Sequence, residues 1–235
     1  MQIKVADSRD DFMGIRKIWE ERFTSCRIYL DTIFSKVFPL CRSYICIHNQ
    51  KVASVISLMP MKFISPTLRS PLKGFYMFGV ATTASEEGNR LAAGLIEYAS
   101  GQLSMEGYDF IFERPANQSL NNYYLKLGFT KSITRLPYLF KITESNGSTE
   151  NIHRINDVKT LSEEVLSKIR IEFPKRFEWE TSQILEGLIA LGELEENNNN
   201  FSPCLIKDET YIAIKNLTNL SCDIYNDSFF CFPME

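Results

Sequence analysis

The chain has 235 residues, of which 44% are hydrophobic and 23% charged, a composition typical of an ordinary globular protein. Its 26 Lys and Arg residues against 29 Asp and Glu residues give a net charge of −3. A dedicated nucleic-acid-binding protein needs clustered positive charge, and the sequence contains no basic stripe. The composition therefore argues against nucleic acid as a partner.

The six cysteines form no CxxC pair, and His48 and His153 are the two histidines of the sequence. These spacings fit neither a zinc site nor a redox motif, so we expect reduced thiols and no bound metal. The N-terminus lacks the apolar stretch of a signal peptide, and no segment approaches the roughly 20 apolar residues of a membrane span. We therefore expect a cytoplasmic protein with no membrane partner.

The first quarter of the sequence predicts a strand followed by two helices. Residues 3–5 can start the strand, and Ser8 is a plausible N-cap for the helix that follows. Apolar residues then recur at steps of three and four over residues 12–23, which is the spacing of one helix face. A second helix is predicted from residue 30, and it should stop at Pro39.

A hairpin is predicted next, with strands over residues 43–47 and 52–59 joined by a polar turn. Pro60 and Pro66 are expected to bracket a looser segment before another strand over residues 75–81.

The centre of the chain alternates strands and helices. After the strand ending at residue 81 we expect the following elements in order: a small, polar loop (82–89), a helix (91–103), a buried strand (108–112), a helix (119–127) ending at Gly128, and one or two strands (129–142) interrupted at Pro137. Strands separated by helices require crossover connections. The order therefore predicts an α/β fold with a mixed sheet and helices on both faces.

Residues 144–150 are polar and contain a glycine, which is typical of a linker. We therefore predict two domains, one over residues 1–143 and a smaller α+β domain over 151–235 that packs on the first. The second domain should contain helices near 161–173 and 180–191, a polar loop at 193–200, a hairpin of 204–207 with 211–215, and an apolar tail at 229–233.

The strongest functional signal in the sequence is a strand that ends in Val80, Ala81 and Thr82. A loop of small residues follows this strand and leads into a helix. A helix start presents unpaired backbone N–H groups and the positive end of the helix dipole, so it can hold a phosphate. Small residues in this segment (Gly88, Ala92 and Ala93) let a ligand approach the backbone. Asn117 and Tyr124 lie beside the same cleft if the two central strands are neighbours that splay apart.

This layout resembles the GNAT superfamily of acetyl-CoA-dependent N-acetyltransferases over roughly residues 1–142. The resemblance rests on the V-A-T strand end (80–82), the asparagine after the next strand (Asn117) and the YLKLGF sequence (124–129). It implies a mixed, largely antiparallel, twisted sheet flanked by helices on both faces. It also implies acetyl-CoA as co-substrate, and a small-molecule or peptide amine as acceptor. The C-terminal part resembles the truncated second half found in one bacterial subgroup of such proteins.

The resemblance implies that one set of residues binds the coenzyme: Val80, Ala81, Thr82, Glu87, Gly88, Asn89, Arg90, Leu91, Ala92, Ala93, Asn117 and Tyr124. The family's [QR]-x-x-G-x-[GA] loop is altered here. Glu87 replaces the first residue and Arg90 the central glycine, while Ala92 fits the last position. Carboxylates at Glu86 and Glu87 repel a phosphate. Arg90 either offsets this repulsion with a charge-assisted hydrogen bond or obstructs the close approach that a glycine permits.

The resemblance also implies catalytic roles. Tyr124 matches the tyrosine that protonates the leaving thiolate, and a backbone N–H near Val80 or Ala81 would polarise the acetyl carbonyl. Glu113 is the first candidate for the general base and Glu86 the weaker one. The alternatives are a surface ion pair of Glu113 with Arg114, and a core-packed Tyr124. Asn117 can equally be the N-cap of the helix that follows it.

These observations leave three hypotheses for function. The first is an N-acetyltransferase that carries an acetyl group from acetyl-CoA directly to a primary amine in a ternary complex. The second is a non-catalytic protein of the same fold that binds an acyl-CoA or a partner through a degenerate pyrophosphate loop. The third treats the C-terminal part as an interaction module and the cleft as vestigial. Fold alone does not decide among them.

Overall fold

The computed structural model describes residues 1–23, 27–136, 140–142, 167, 170–171, 173–184, 186–187, 201–203, 208–226 and 228–229. The predicted linker, the polar loop, the strand over 204–207 and most of the apolar tail lie outside these residues. The two predicted C-terminal helices are described only in part, and residues 170–171, 182–184 and 186–187 are helical. The division into two domains at this linker stays a prediction.

The described strands are β1 (Gln2–Val5), β2 (Arg42–His48), β3 (Lys51–Ile64), β4 (Leu72–Thr82), β5 (Phe110–Glu113), β6 (Thr130–Leu136), β7 (Phe140–Ile142), β8 (Arg176–Trp179), β9 (Phe201–Pro203), β10 (Asp208–Asn216) and β11 (Ser228–Phe229). The principal described helices are α1 (Arg9–Arg22), α2 (Arg27–Thr32), α3 (Leu91–Met105) and α4 (Gln118–Lys126). A π-helical turn (Ile33–Val37) and a 3₁₀ turn (Phe38–Leu40) continue α2 up to β2, so the predicted stop at Pro39 is a 3₁₀ turn.

Nine strands form one sheet in the order β1-β2-β3-β4-β5-β10-β6-β11-β8, and β7 pairs separately with β9. Neighbouring strands are antiparallel except β4 with β5 and the two pairings of β11. Helix α1 packs against β3 and β4, whereas α3 and α4 belong to the apolar cluster on the opposite face. The predicted mixed, largely antiparallel sheet flanked by helices on both faces is confirmed.

The prediction of a looser segment between Pro60 and Pro66 is wrong, because β3 runs through Pro60 to Ile64 and β4 already begins at Leu72. The Pro60 carbonyl accepts a hydrogen bond from the Glu180 backbone at 3.1 Å, so its nitrogen faces that same edge of β3. On that edge β2 has already ended, opposite Leu58. The missing N–H therefore falls in a gap between two partner strands and costs the strand no ladder hydrogen bond.

Strands from both sides of the predicted linker share this sheet. β10 lies between β5 and β6, and β8 pairs with the last four residues of β3 (Met61–Ile64). Because β8 also pairs with β11, the sheet closes on itself. The closed part buries a cluster of aromatic side chains, each at most 1% exposed: Phe63, Phe110, Phe112, Phe177 and Tyr225.

Helix α1 begins at the predicted N-cap, which forms a capping box. The Asp11 backbone N–H donates to Ser8 Oγ at 3.1 Å, and the Ser8 backbone N–H donates to Asp11 Oδ2 at 3.1 Å. Lys4 Nζ lies 2.7 Å from the same carboxylate. Burial alone would raise the pKa of Asp11, but Lys4 and the backbone donors outweigh it and hold the pKa well below its usual range.

We expect Asp11→Ala to lower the free energy of unfolding by about 2 kcal/mol at neutral pH, because it removes the acceptor of the Ser8 backbone N–H in the capping box and the partner of Lys4. Asp10→Ala, in the same turn but exposed, is the matched control. Because the pKa of Asp11 is depressed, its contribution is present above its unfolded pKa of about 3.8 and is lost as the pH falls below that value. Urea denaturation at two pH values measures this, and equal midpoints for both variants would contradict it.

Candidate active site

A cleft opens where β4 and β5 separate. The two strands pair only over residues 74–76 and 110–112, after which β4 continues to Thr82 and β5 ends at Glu113. The cleft has a volume of about 560 Å³, and its lining comes from the end of α1, the end of β4, the start of α3, the end of β5 and α4. It thus lies at the carboxyl ends of two parallel strands and at a helix N-terminus, a usual place for a ligand.

A β-bulge in β4 shapes one wall of this cleft. The register of β3 with β4 shifts between Val55 and Ser57, and Gly79 on the bulged strand has φ +62°. A Cβ at Gly79 would lie 2.3 Å from Trp19 Cζ2 on α1, so a side chain there is excluded. The bulge bends the strand, and Gly79, Val80, Ala81 and Thr82 then line the cleft.

The start of α3 forms the next wall. Leu91 and Ala92 in its first turn line the cleft, and the residue before them, Arg90, supplies no side-chain cap. The first backbone N–H groups of a helix have no intrahelical acceptor, and here no side-chain cap replaces it. The helix dipole also makes this end positive. Arg90 has φ +56°, and Gly88 before it has φ +83°. The loop before α3 thus contains two residues in the left-handed region, and one of them is not a glycine.

We expect Arg90→Gly to raise the free energy of unfolding by about 1 kcal/mol. A left-handed conformation costs an L-residue roughly 1–2 kcal/mol, and the greater freedom of glycine in the unfolded chain offsets part of this gain. Arg90→Ala is the matched control, because it removes the same charge but keeps the strained backbone. Thermal or urea denaturation of the two variants measures the difference, and an Ala variant as stable as the Gly variant would contradict the assignment of strain to this residue.

The two loop carboxylates, Glu86 and Glu87, each have a side-chain partner. Glu86 Oε1 lies 3.0 Å from His48 Nδ1, and Asn89 Nδ2 donates to Glu86 Oε2 at 2.9 Å. The hydrogen bond with His48 lowers the pKa of Glu86. Glu87 forms an ion pair with Arg22 in the last turn of α1. The repulsion of phosphate expected from Glu87 is therefore offset by the positive charge of Arg22, while Glu86 is engaged by His48 and Asn89.

Glu113 reaches the cleft from the end of β5. Among the described residues, its buried Oε2 atom has no hydrogen-bond partner. Burial raises the pKa of Glu113 to about 8, although the Arg114 charge lowers it. A carboxyl group with a pKa near 8 can take up a proton at slightly basic pH, which is what a general base requires.

Tyr124 on α4 lies across the cleft from the loop. It is 3% exposed, and its ring packs edge-to-face on Phe129 with centroids 5.4 Å apart. Burial raises the pKa of Tyr124, and the nearby Glu113 carboxylate raises it further. The phenol therefore keeps its proton and is a donor rather than a base.

The cleft brings together eleven of the predicted site residues: Val80, Ala81, Thr82, Glu86, Glu87, Gly88, Arg90, Leu91, Ala92, Glu113 and Tyr124. Three others do not line it. Ala93 is buried within the helix packing, Asn89 bonds to Glu86, and Asn117 Oδ1 accepts the Leu120 backbone N–H at 3.0 Å as the N-cap of α4. The lining residues that the sequence analysis missed are Arg22, Phe23, Gly79, Ala116, Leu120 and Tyr123. Of these, only Gly79 carried a signal, since a glycine inside a strand often marks a bulge.

Three further expectations concern metal, thiols and membranes. The described part of the chain contains no group of three or more His, Cys, Asp or Glu residues that could hold a metal ion. Cys41 and Cys46 are free thiols, and burial raises the pKa of both. Within the described ranges, no helix is long and apolar enough to span a membrane.

Solved structures share this architecture. Eis1 from Mycobacterium abscessus matches with a TM-score of 0.63 and 8% identity, over 90% of this chain and 53% of that one. A probable N-acyltransferase from Enterococcus faecalis matches with a TM-score of 0.56 and 12% identity, over 80% and 48%. A GCN5-related N-acetyltransferase from Anabaena variabilis matches with a TM-score of 0.53 and 12% identity, over 92% and 73%. The chain has the GNAT fold.

At these identities the likeness shows the fold alone, and the chain spans about half the length of the first two of these proteins. No protein-family model matches the sequence, and no curated protein matches it. The GNAT fold expected from the YLKLGF and V-A-T sequences is confirmed, whereas the roles of individual cleft residues remain predictions.

Proposed function

We propose that the protein is an N-acetyltransferase that transfers the acetyl group of acetyl-CoA to a primary amine. The observation that carries the proposal is the coincidence, in one cleft of the GNAT fold, of an uncapped helix start with a buried carboxyl group. The first serves anion binding and the second proton transfer. Two of the similar structures are described as an N-acetyltransferase and a probable N-acyltransferase, which supports the same class of reaction.

The residues at the cleft fit CoA. The unpaired N–H groups at the start of α3 suit a pyrophosphate, and Gly88 has no atoms within 4 Å of the position where a Cβ would lie, so the backbone is open to approach. Bound acetyl-CoA supplies the activated acetyl group as a thioester. Asn117 does not itself line the cleft but follows Ala116, which does, and the part of its amide that the N-cap leaves free is available to the pantetheine arm.

Each catalytic step falls to a residue of this chain. Glu113 takes a proton from the acceptor ammonium group, and the free amine nitrogen forms its bond to the acetyl carbonyl carbon. A backbone N–H at the bulged end of β4, near Val80 or Ala81, stabilises the negative charge that develops on the carbonyl oxygen. The carbon–sulfur bond then breaks as Tyr124 gives its proton to the departing thiolate. The second proton of the attacking nitrogen is lost as the amide forms, and through solvent it restores the Tyr124 phenol. The proton that Glu113 has gained leaves to solvent.

The proposal is tested by incubating the protein with acetyl-CoA and a panel of small and peptidyl primary amines. Release of the CoA thiol is followed with a thiol reagent, and the acetylated amine is identified by mass. We expect stoichiometric formation of CoA and acetylated amine for at least one class of amine. CoA binding without turnover for any amine would instead support the alternative, a non-catalytic acyl-CoA-binding protein.

A further inference from the structure

Arg22 occupies an unusual position for a residue of α1, because it lines the cleft beside the start of α3. Its guanidinium forms an ion pair with Glu87, the residue that replaces the Gln or Arg of the family's loop. Among the described lining residues, Arg22 and Arg90 are the two with basic side chains. A guanidinium is thus present next to the loop, although it comes from another element.

We propose that Arg22 binds the pyrophosphate of CoA, and that Glu87 holds Arg22 at the cleft until the co-substrate enters. On binding, the Arg22 guanidinium exchanges the Glu87 carboxylate for a phosphate oxygen. This inference rests on the proposed function, since it names a further binding residue of the same site.

The ion pair between Arg22 and Glu87 is weak enough for a ligand to replace Glu87 as the partner of Arg22. The side chains of Arg22 and Glu87 are 34% and 56% exposed, and an ion pair so open to solvent contributes little to stability. The pyrophosphate of CoA, with one negative charge on each phosphate, would instead offer the guanidinium a bidentate acceptor beside the positive end of a helix. The exchange therefore replaces a weak contact with a stronger one.

A second contact keeps Arg22 near the loop after its ion pair with Glu87 is broken. The Ala84 backbone N–H, in the 3₁₀ turn that follows β4, donates to Glu21 Oε1 at 2.7 Å. Glu21 is the neighbour of Arg22 on α1, so the end of this helix is joined to the turn before the loop independently of Glu87. Glu86 is engaged by His48 and Asn89 and does not compete for the guanidinium.

The test compares Kd values for CoA, measured calorimetrically, in variants with opposite expected signs. Arg22→Gln should weaken binding by roughly tenfold, because it removes a charge-assisted contact with phosphate. Glu87→Gln should tighten binding by about threefold, because Arg22 no longer has to leave a partner. If the ion pair only held the loop in shape, both variants would weaken binding, and the proposal would be overturned. Arg16→Gln, on the same helix and paired with Glu20 and Asp31 outside the cleft, should leave Kd unchanged.

Two further measurements test separately whether Arg22 exchanges Glu87 for phosphate and which phosphate group of CoA it binds. In an Arg22→Gln background, Glu87→Gln should give a smaller gain, whereas an equal gain would mean that Glu87 acts by repulsion alone. With dephospho-CoA, which lacks the 3′-phosphate, the effect of Arg22→Gln should persist, and its disappearance would overturn the assignment to the pyrophosphate. Absence of CoA binding by the unaltered protein would instead count against the proposed function, so the two failures are distinguishable.

Discussion

Glu113→Gln should lower kcat/KM for acetyl transfer by about 10²–10⁴-fold while leaving the Kd for acetyl-CoA unchanged. Glutamine keeps the shape of the side chain but cannot accept the proton of the ammonium group. The unaltered protein should show a kcat/KM that rises with pH through about 8, the pKa to which burial raises Glu113. A steady-state pH profile measures this rise, and it should be absent from any residual activity of the variant.

The same group links stability to pH, with a definite sign. The folded pKa of Glu113, about 8, lies above the ordinary glutamate value of 4.5. Its neutral form is therefore tolerated at low pH, and stability is lost as the pH rises through 8 and the buried carboxyl must ionise. Glu113→Gln should consequently be more stable than the unaltered protein at about pH 9, by a few kcal/mol, and similar to it at about pH 4.

Glu97→Gln is the matched control for both readouts, because Glu97 is exposed on α3 outside the cleft. It should change neither activity nor the pH dependence of stability. A kcat/KM that is flat with pH in the unaltered protein, or a Glu113→Gln variant of full activity, would contradict the assignment of Glu113 as the base. Glu86, the weaker candidate from sequence, is engaged by His48 and Asn89.

Phe177→Ala should lower the free energy of unfolding by about 3–5 kcal/mol, the usual cost of deleting a fully buried ring. Phe177 lies on β8, the strand that closes the sheet, and is 1% exposed. Its ring centroid is 4.6 Å from that of Phe112 and 4.9 Å from that of Phe63. The substitution thus leaves a cavity shared by strands from both sides of the predicted linker.

This prediction is checked by urea denaturation followed by circular dichroism. Ile171→Ala, also after the predicted linker but 80% exposed, is the control and should be within about 0.5 kcal/mol of the unaltered protein. Two separate transitions, of which Phe177→Ala shifts only one, would contradict a core shared across the linker. A single transition shifted as a whole is the expected result.

Local signals in the sequence were sufficient for the elements that build the cleft. Ser8 caps α1 by its side chain as predicted, and Gly128 follows α4 with φ +84°, as a helix-terminating glycine should. The V-A-T sequence (80–82) forms the strand end that lines the site. The YLKLGF sequence (124–129) begins in the helix that lines it as well. These features depend on neighbours within a few residues, which is why periodicity and capping reveal them.

Non-local features were out of reach of the same reasoning. A proline usually ends a strand. Pro60 is tolerated in β3 because, on that edge, β2 has ended and β8 has not yet begun. The position of β10 between β5 and β6 depends on pairing across more than 70 residues, for which the sequence offers no local mark. Arg22 reaches the cleft only because the end of α1 is held against the turn at Ala84.

Calorimetric titration of acetyl-CoA into the protein measures whether the cleft binds this co-substrate at the start of α3. Ala92→Asp places a carboxylate in the first turn, where the helix dipole favours it for stability but where it excludes a phosphate. Gly101→Asp adds the same charge to an exposed, open position on the same helix.

We predict micromolar binding to the unaltered protein and to Gly101→Asp, and its loss in a folded Ala92→Asp. No heat of binding to the unaltered protein, or equal binding to all three, would contradict the account.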